Sequence, residues 1–200
     1  MKRAINLKTE SHLKLSIHLA KKYLSYAPLK TRVAFVLGSI GPDFNLFSYL
    51  KGFKVHAFHG HNWENSREFI KHKTSSILDS NCKNTIDYYL LGRLLHFITD
   101  AFTYPHNRMY KGGLRQHTDY EKQLHNILMI ALNNNPDQKT WLLNNNFDII
   151  TAHANYSIQN MTLENDVNWI LAINEQFTQR FSTLNSSVKT KAGFITEYNI

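Results

Sequence analysis

The stretch LLGRLLHFITDAFTYPHN, residues 90–107, decides how this chain is read. It sets His96, Asp100 and His106 in surroundings that are otherwise apolar and aromatic. On a helix, His96 and Asp100 lie one turn apart and project from the same face. That face also carries Tyr89, Gly92, Arg93 and Thr103, while nearly every other position is Leu, Ile, Phe or Ala. A helix that is apolar almost all round belongs in a core. A histidine and an aspartate buried there must be hydrogen-bonded, paired or bound to a metal ion. Gly92, one turn before His96, is expected to clear space for an ion or a substrate. Tyr104-Pro105 ends the helix and throws His106 back over its end.

Helical periodicity recurs on both sides of this stretch. Residues 10–27 place Leu15, Leu19, Tyr23 and Tyr26 on one face and stop at Pro28, with His12 in the first turn. Residues 30–40 make a shorter buried helix that Gly41-Pro42 ends, leaving Asp43 in a loop. Residues 44–61 are irregular and aromatic and hold His56, His59 and His61; a helix follows from about Glu64 to Asp79. Residues 114–133 carry the apolar stripe Leu114, Leu124, Leu128 and Ile130, and there His117 and Glu121 form a second i, i+4 pair. A short helix is expected at 136–143, and two more at 147–160 and 164–182. No sustained alternating or Val/Ile-rich run occurs, so the fold class is all-α. The expected architecture is a single-domain multi-helix bundle over residues 1–182, with a weakly ordered Ser/Thr/Lys-rich tail at 183–200.

Two hundred residues suffice for one domain with a sizeable core. The net charge of +8 favours anionic partners, whether phosphate esters, nucleic acid or an acidic membrane surface, although the basic residues are scattered. No run of eighteen apolar residues predicts a membrane span. The first residues, MKRAINLKTESHLKL, have no apolar core of a signal peptide. Together with the single Cys82 this leads us to expect a reducing, cytoplasmic setting. No glycine-rich phosphate loop, Ser/His/Asp arrangement or cysteine nucleophile context appears.

The distinctive number is eleven histidines against fifteen acids. In chain order the candidate metal ligands are His12, Asp43, one of the loop histidines, His96, Asp100, His106, His117 and Glu121. All offer nitrogen or oxygen and none is a thiolate, which describes hydrolytic zinc or mixed carboxylate sites. Taken singly, each histidine is explained as a satisfied core or surface residue. Taken together, two His-x-x-x-acid pairs and a further His within one short region are harder to explain that way. Two or more ions so enclosed, about 3.5–4 Å apart, stabilise both oxygens of an in-line displacement at phosphorus. Arg93 is a candidate for contacting a phosphate or pairing with Asp100. Trp63 is a weak candidate for lining a lipid or base pocket, with plain packing as its alternative. Lys8, with Lys2 and Arg3, reads as a solvated charge.

The run His96-Phe-Ile-Thr-Asp100, then Tyr104-Pro105-His106-Asn107, then His117-x-x-x-Glu121 resembles the zinc-dependent phospholipase C family. Ser11-His12-Leu13 and the Gly41-Pro42-Asp43 turn fit the same pattern in the same order, so the resemblance covers about residues 9–125. It implies an all-α fold around a cluster of two or three zinc ions. One ion would be held by Asp43, a loop histidine (His61 preferred, then His59, then His56), His96 and Asp100. A second would take His106, His117 and Glu121. A third would involve His12, with Asp100 as a bridge; secreted members place an N-terminal Trp on that ion, and Met1-Lys2-Arg3 offers none. The implied reaction is attack of water on a phospholipid or small phosphodiester, with Asp43 or hydroxide held by the ions as base. Single-strand-specific zinc nucleases resemble this family in fold and site. Nuclease activity, and metal binding without turnover, are therefore the alternatives.

Overall fold

The apolar stripes become helices in the computed structural model, which describes residues 2–44, 62–79, 84–134 and 148–196. In chain order these are α1 (Lys2–Tyr23), α2 (Leu29–Phe44), α3 (Trp63–Asp79), α4 (Thr85–Ala101), α5 (Leu114–Asn134), α6 (Ile149–Ser157) and α7 (Leu163–Thr196), with a 3-10 turn at Tyr104–His106. No strand occurs among the described residues, and the all-α class expected from the sequence is what is found. His56, His59, His61 and the helix expected at 136–143 lie outside the described residues.

The inner helix is α4. Asn84 caps it: its side chain accepts from the N–H groups of Ile86 and Asp87, and Asp87 returns a bond to the Asn84 N–H at 2.8 Å. This reciprocal capping box satisfies donors that the first turn leaves without partners. Every residue from Leu94 to Ala101 is buried. Around α4 pack α1, α2, α3 and α7, while α5 closes the bundle against α1 and α7.

The most extensive helix pair is α2 with α4, and glycines on both sides make it so. A Cβ on Gly38 would overlap the Tyr89 carbonyl, and one on Gly92 would overlap the Phe35 carbonyl and lie 2.9 Å from the Ser39 nitrogen. Gly92 therefore clears space for the α2 backbone, not for an ion or substrate as its position suggested.

Two element ends also differ from the expectation. Helix α1 starts at Lys2, which places His12 mid-helix instead of in a first turn. Helix α2 continues through Pro42 to Phe44, so Asp43 stands on its last turn and not in a loop. Proline removes one donor and crowds the preceding turn. Here the contact with α4 holds α2 in register, and tertiary packing outweighs the local preference. At the other end of the chain, α7 carries helical backbone to Thr196, across residues assigned from sequence to a tail.

A set of buried polar contacts fixes the turn after α4. The Asn107 amide donates to the carbonyls of Ala101 and Thr103 at 3.0 and 2.9 Å, taking up acceptors that the helix end leaves open. His153 of α6 donates from Nε2 to Asn107 Oδ1 at 2.8 Å and to the Ala101 carbonyl at 3.1 Å. Its ring stacks on Trp63 at 3.7 Å, so Trp63 serves the core. From α7, fully buried Asp166 accepts the Tyr104 N–H at 2.7 Å and the hydroxyls of Tyr120 and Tyr156, each at 2.8 Å. Burial pushes the Asp166 carboxyl up to about 6 in spite of these three bonds.

Two consequences can be measured. Gly92→Ala should destabilise the fold by about 3 kcal/mol, because backbone and not a flexible side chain stands in the way; chemical denaturation of the variant reads it directly. Burial lowers the His153 pKa from 6.5 to about 4. The stabilisation from its neutral ring is therefore complete above about pH 6.5 and is lost as the pH falls towards 4. The metal-free protein should lose up to about 1.4 kcal/mol per pH unit across that window through this residue. His153→Gln, which cannot take up the proton, should flatten the slope in the same titration.

Candidate metal centre

Five elements bring the ligand-type side chains together: α1 with His12, the last turn of α2 with Asp43, α4 with His96 and Asp100, the 3-10 turn with His106, and α5 with His117 and Glu121. Two groups result. The coordinating atoms of His12, Asp43 and His96 all lie within 4.8 Å of one another, and so do those of His106, His117 and Glu121. A tetrahedral ion with bonds of 2.0–2.1 Å separates its ligand atoms by about 3.4 Å; Asp43 and His96 are 3.8 Å apart, and Glu121 is 3.2 and 3.0 Å from His106 and His117.

In the first group the tautomer of His96 follows from its partner. A carbonyl can only accept, so the 2.8 Å contact with the Ser39 oxygen puts a proton on Nδ1. In the neutral ring Nε2 then presents its lone pair, the arrangement that orients metal-bound imidazoles. That lone pair faces Asp43 Oδ1 at 3.8 Å and Asp100 Oδ2 at 3.5 Å. Lone pair against carboxylate is repulsive unless a cation or a proton lies between them. The Asp43 carboxylate is buried and neither oxygen has a hydrogen-bond partner among the described residues; Nδ1 of His12 is in the same position. An isolated buried carboxylate is strongly unfavourable. The donors present therefore fit a divalent ion.

The second group is closer to solvent. Glu121 Oε1 stands 3.2 Å from His106 Nε2 and 3.0 Å from His117 Nε2. The His117 and Glu121 side chains are 12% and 15% exposed, against 3% or less for those of the first group. Burial, with the nearby Lys8 charge, lowers His106 to about 4 against the pull of Asp100 and Glu121. The ring is thus neutral, as a metal ligand must be. Burial alone would raise the Glu121 carboxyl, but the hydrogen bonds from His106 and His117 hold it well below the carboxylate range. Beside His106 opens a cavity of about 360 Å³, lined also by Asn62, Glu64, Arg108, Tyr110 and Lys111.

Asp100 stands between the groups. Its Oδ1 is 3.3 Å from His12 Nε2, and its Oδ2 is 3.2 Å from the Lys8 ammonium. Burial would raise this carboxyl, yet Lys8, His106, His96 and His12 keep it well below the ordinary value.

Of the residues expected from sequence, His12, Asp43, His96, Asp100, His106, His117 and Glu121 thus converge. His12 stands beside Asp100, at 3.3 Å from its Oδ1, and is also grouped with Asp43 and His96. Arg93 lies over the Phe69 ring at 5.4 Å. His125, on α5, bonds Ser11 at 2.8 Å. Sequence reasoning missed two residues. Ser39, which orients His96, is one turn before Asp43 only because α2 runs on through Pro42. Lys8, read as a solvated charge, falls one turn before His12 once α1 is extended to Lys2.

Among known proteins, no curated protein and no solved structure matches the chain. A family model described as zinc dependent phospholipase C matches residues 11–187. That span includes every ligand-type residue of both groups and reaches well into α7. With its all-α fold and its nitrogen and oxygen donors, the chain belongs to the zinc-dependent phospholipase C family.

Proposed function

We propose that the protein is a phospholipase C-type hydrolase that cleaves a phospholipid at its phosphodiester, using zinc held by the two groups of three ligands. The observation that carries this reading is the buried Asp43 carboxylate, which faces His12 and His96 with neither oxygen hydrogen-bonded among the described residues. Charge supports it as well. Among the described residues, Asp43, Asp100 and Glu121 set three carboxylates in a buried region, and Lys8 is the lysine paired with them, which leaves two negative charges over. His12, Asp43 and His96 would hold one ion, and His106, His117 and Glu121 the other. Asp100 would stand between them.

Bound zinc supplies Lewis acidity, lowering the pKa of water and offsetting the charge that develops on the phosphoryl oxygens. The chain's own groups do the rest. Ser39 keeps the proton of His96 on Nδ1, so that Nε2 stays directed into the centre. Asp43 would offer one oxygen to the ion, and its other oxygen would accept the proton of the attacking water. Arg108 and Lys111 line the cavity beside His106 and favour a substrate that is anionic at phosphate. No helix among the described residues is long and apolar enough to cross a membrane.

Zinc-loaded protein should release diacylglycerol from phosphatidylcholine or phosphatidylglycerol vesicles and hydrolyse bis-p-nitrophenyl phosphate. Cleavage of single-stranded DNA without lipid turnover would replace the phospholipase reading by a nuclease. Metal bound with no turnover on any of these substrates would overturn both. For the centre itself, His96→Ala and His117→Ala should each lose zinc and melt at lower temperature than the loaded parent. Unchanged zinc content in both variants would refute the ligand assignment.

A further inference from the structure

We propose that the Lys8 ammonium is a built-in cation of the metal centre, taking the place on Asp100 that a further ion would need and so limiting the centre to two ions. The inference rests on the metal-centre reading given above. Its first support is geometry. Lys8 Nζ lies 3.2 Å from Asp100 Oδ2, with the lysine side chain 16% exposed and the aspartate 3%. This is an inward-turned lysine whose four-carbon stem is largely withdrawn from water.

The second support is ligand arithmetic. His12 is the histidine nearest the other oxygen of Asp100, at 3.3 Å from Oδ1, yet it is grouped with Asp43 and His96. The remaining histidines of the cluster, His106 and His117, are grouped on Glu121. Among the described residues, an additional ion on Asp100 would have to share His12 with the first group and displace an ammonium from Oδ2. A divalent ion and an ammonium on one carboxylate repel each other strongly in surroundings this dry.

The third support is reach. Lys8 is the leading cation acting on Asp100, and its charge also bears on His106 and Glu121 of the second group. One side chain thus supplies fixed positive charge to both halves of the centre. It does so without any ligand chemistry, since an ammonium has three donors and no acceptor.

The test is zinc stoichiometry at equilibrium, not activity. Wild type, Lys8→Met and Lys8→Arg are dialysed against buffered zinc, and bound metal is counted by plasma mass spectrometry, with helix content followed by circular dichroism. Wild type should saturate at two ions per chain. Lys8→Met keeps most of the stem and removes the charge; it should take a third ion at least tenfold more tightly than wild type does. Lys8→Arg restores the charge and should return to two. Three tight ions in wild type, or a Lys8→Met count equal to the wild-type two, would overturn the role of Lys8 and leave the two-ion centre standing. Failure of wild type to bind zinc would overturn the metal-centre reading itself, and Lys8 with it.

Discussion

The backbones of α2 and α4 touch, and the centre depends on that contact. Gly38 and Gly92 face backbone of the opposing helix where any side chain would collide. Only at this separation can the Ser39 carbonyl reach His96 Nδ1 at 2.8 Å, and only then does Asp43, one turn further along α2, arrive opposite Nε2. A wider helix pair would leave His96 with either tautomer and move Asp43 out of range. The apolar packing of α4 and the chemistry of its polar face are therefore a single constraint.

Electrostatic balance follows from the same burial. Three carboxylates and four histidines come together from elements far apart in sequence, in a region that excludes most water. Such a concentration of acceptors destabilises a fold unless cations are present. Lys8 supplies one such charge. The remaining deficit fits the zinc dependence of the family, in which stability and metal binding are linked.

Much of this was legible in the sequence because helical spacing is short-range. His96 with Asp100 and His117 with Glu121 are neighbours by periodicity alone, and the all-α class follows from the apolar stripes. What escaped depends on tertiary contact. Gly41-Pro42 is a sound stop signal, yet α2 continues through it because α4 holds it. Lys8 looked like any exposed base until α1 was found to begin at Lys2, which turns the lysine to the same side as His12. The role of Gly92 was misjudged for the same reason. Spacing tells that a side chain is missing there, but not which neighbour fills the gap.

The clamp at Tyr104 carries a consequence for how the protein is made. Every ligand-type residue of the two groups lies between His12 and Glu121, in the first two thirds of the chain. The turn that aims His106 is nevertheless fixed from the last helix, through the 2.7 Å bond from the Tyr104 N–H to Asp166. During synthesis the ligands emerge well before the residue that aligns one of them. Until α7 has docked, the turn that carries His106 lacks one of its anchors, the bond from Tyr104 to Asp166. Alignment of the second group is therefore completed only when the last element to be synthesised among the described residues has packed against the turn.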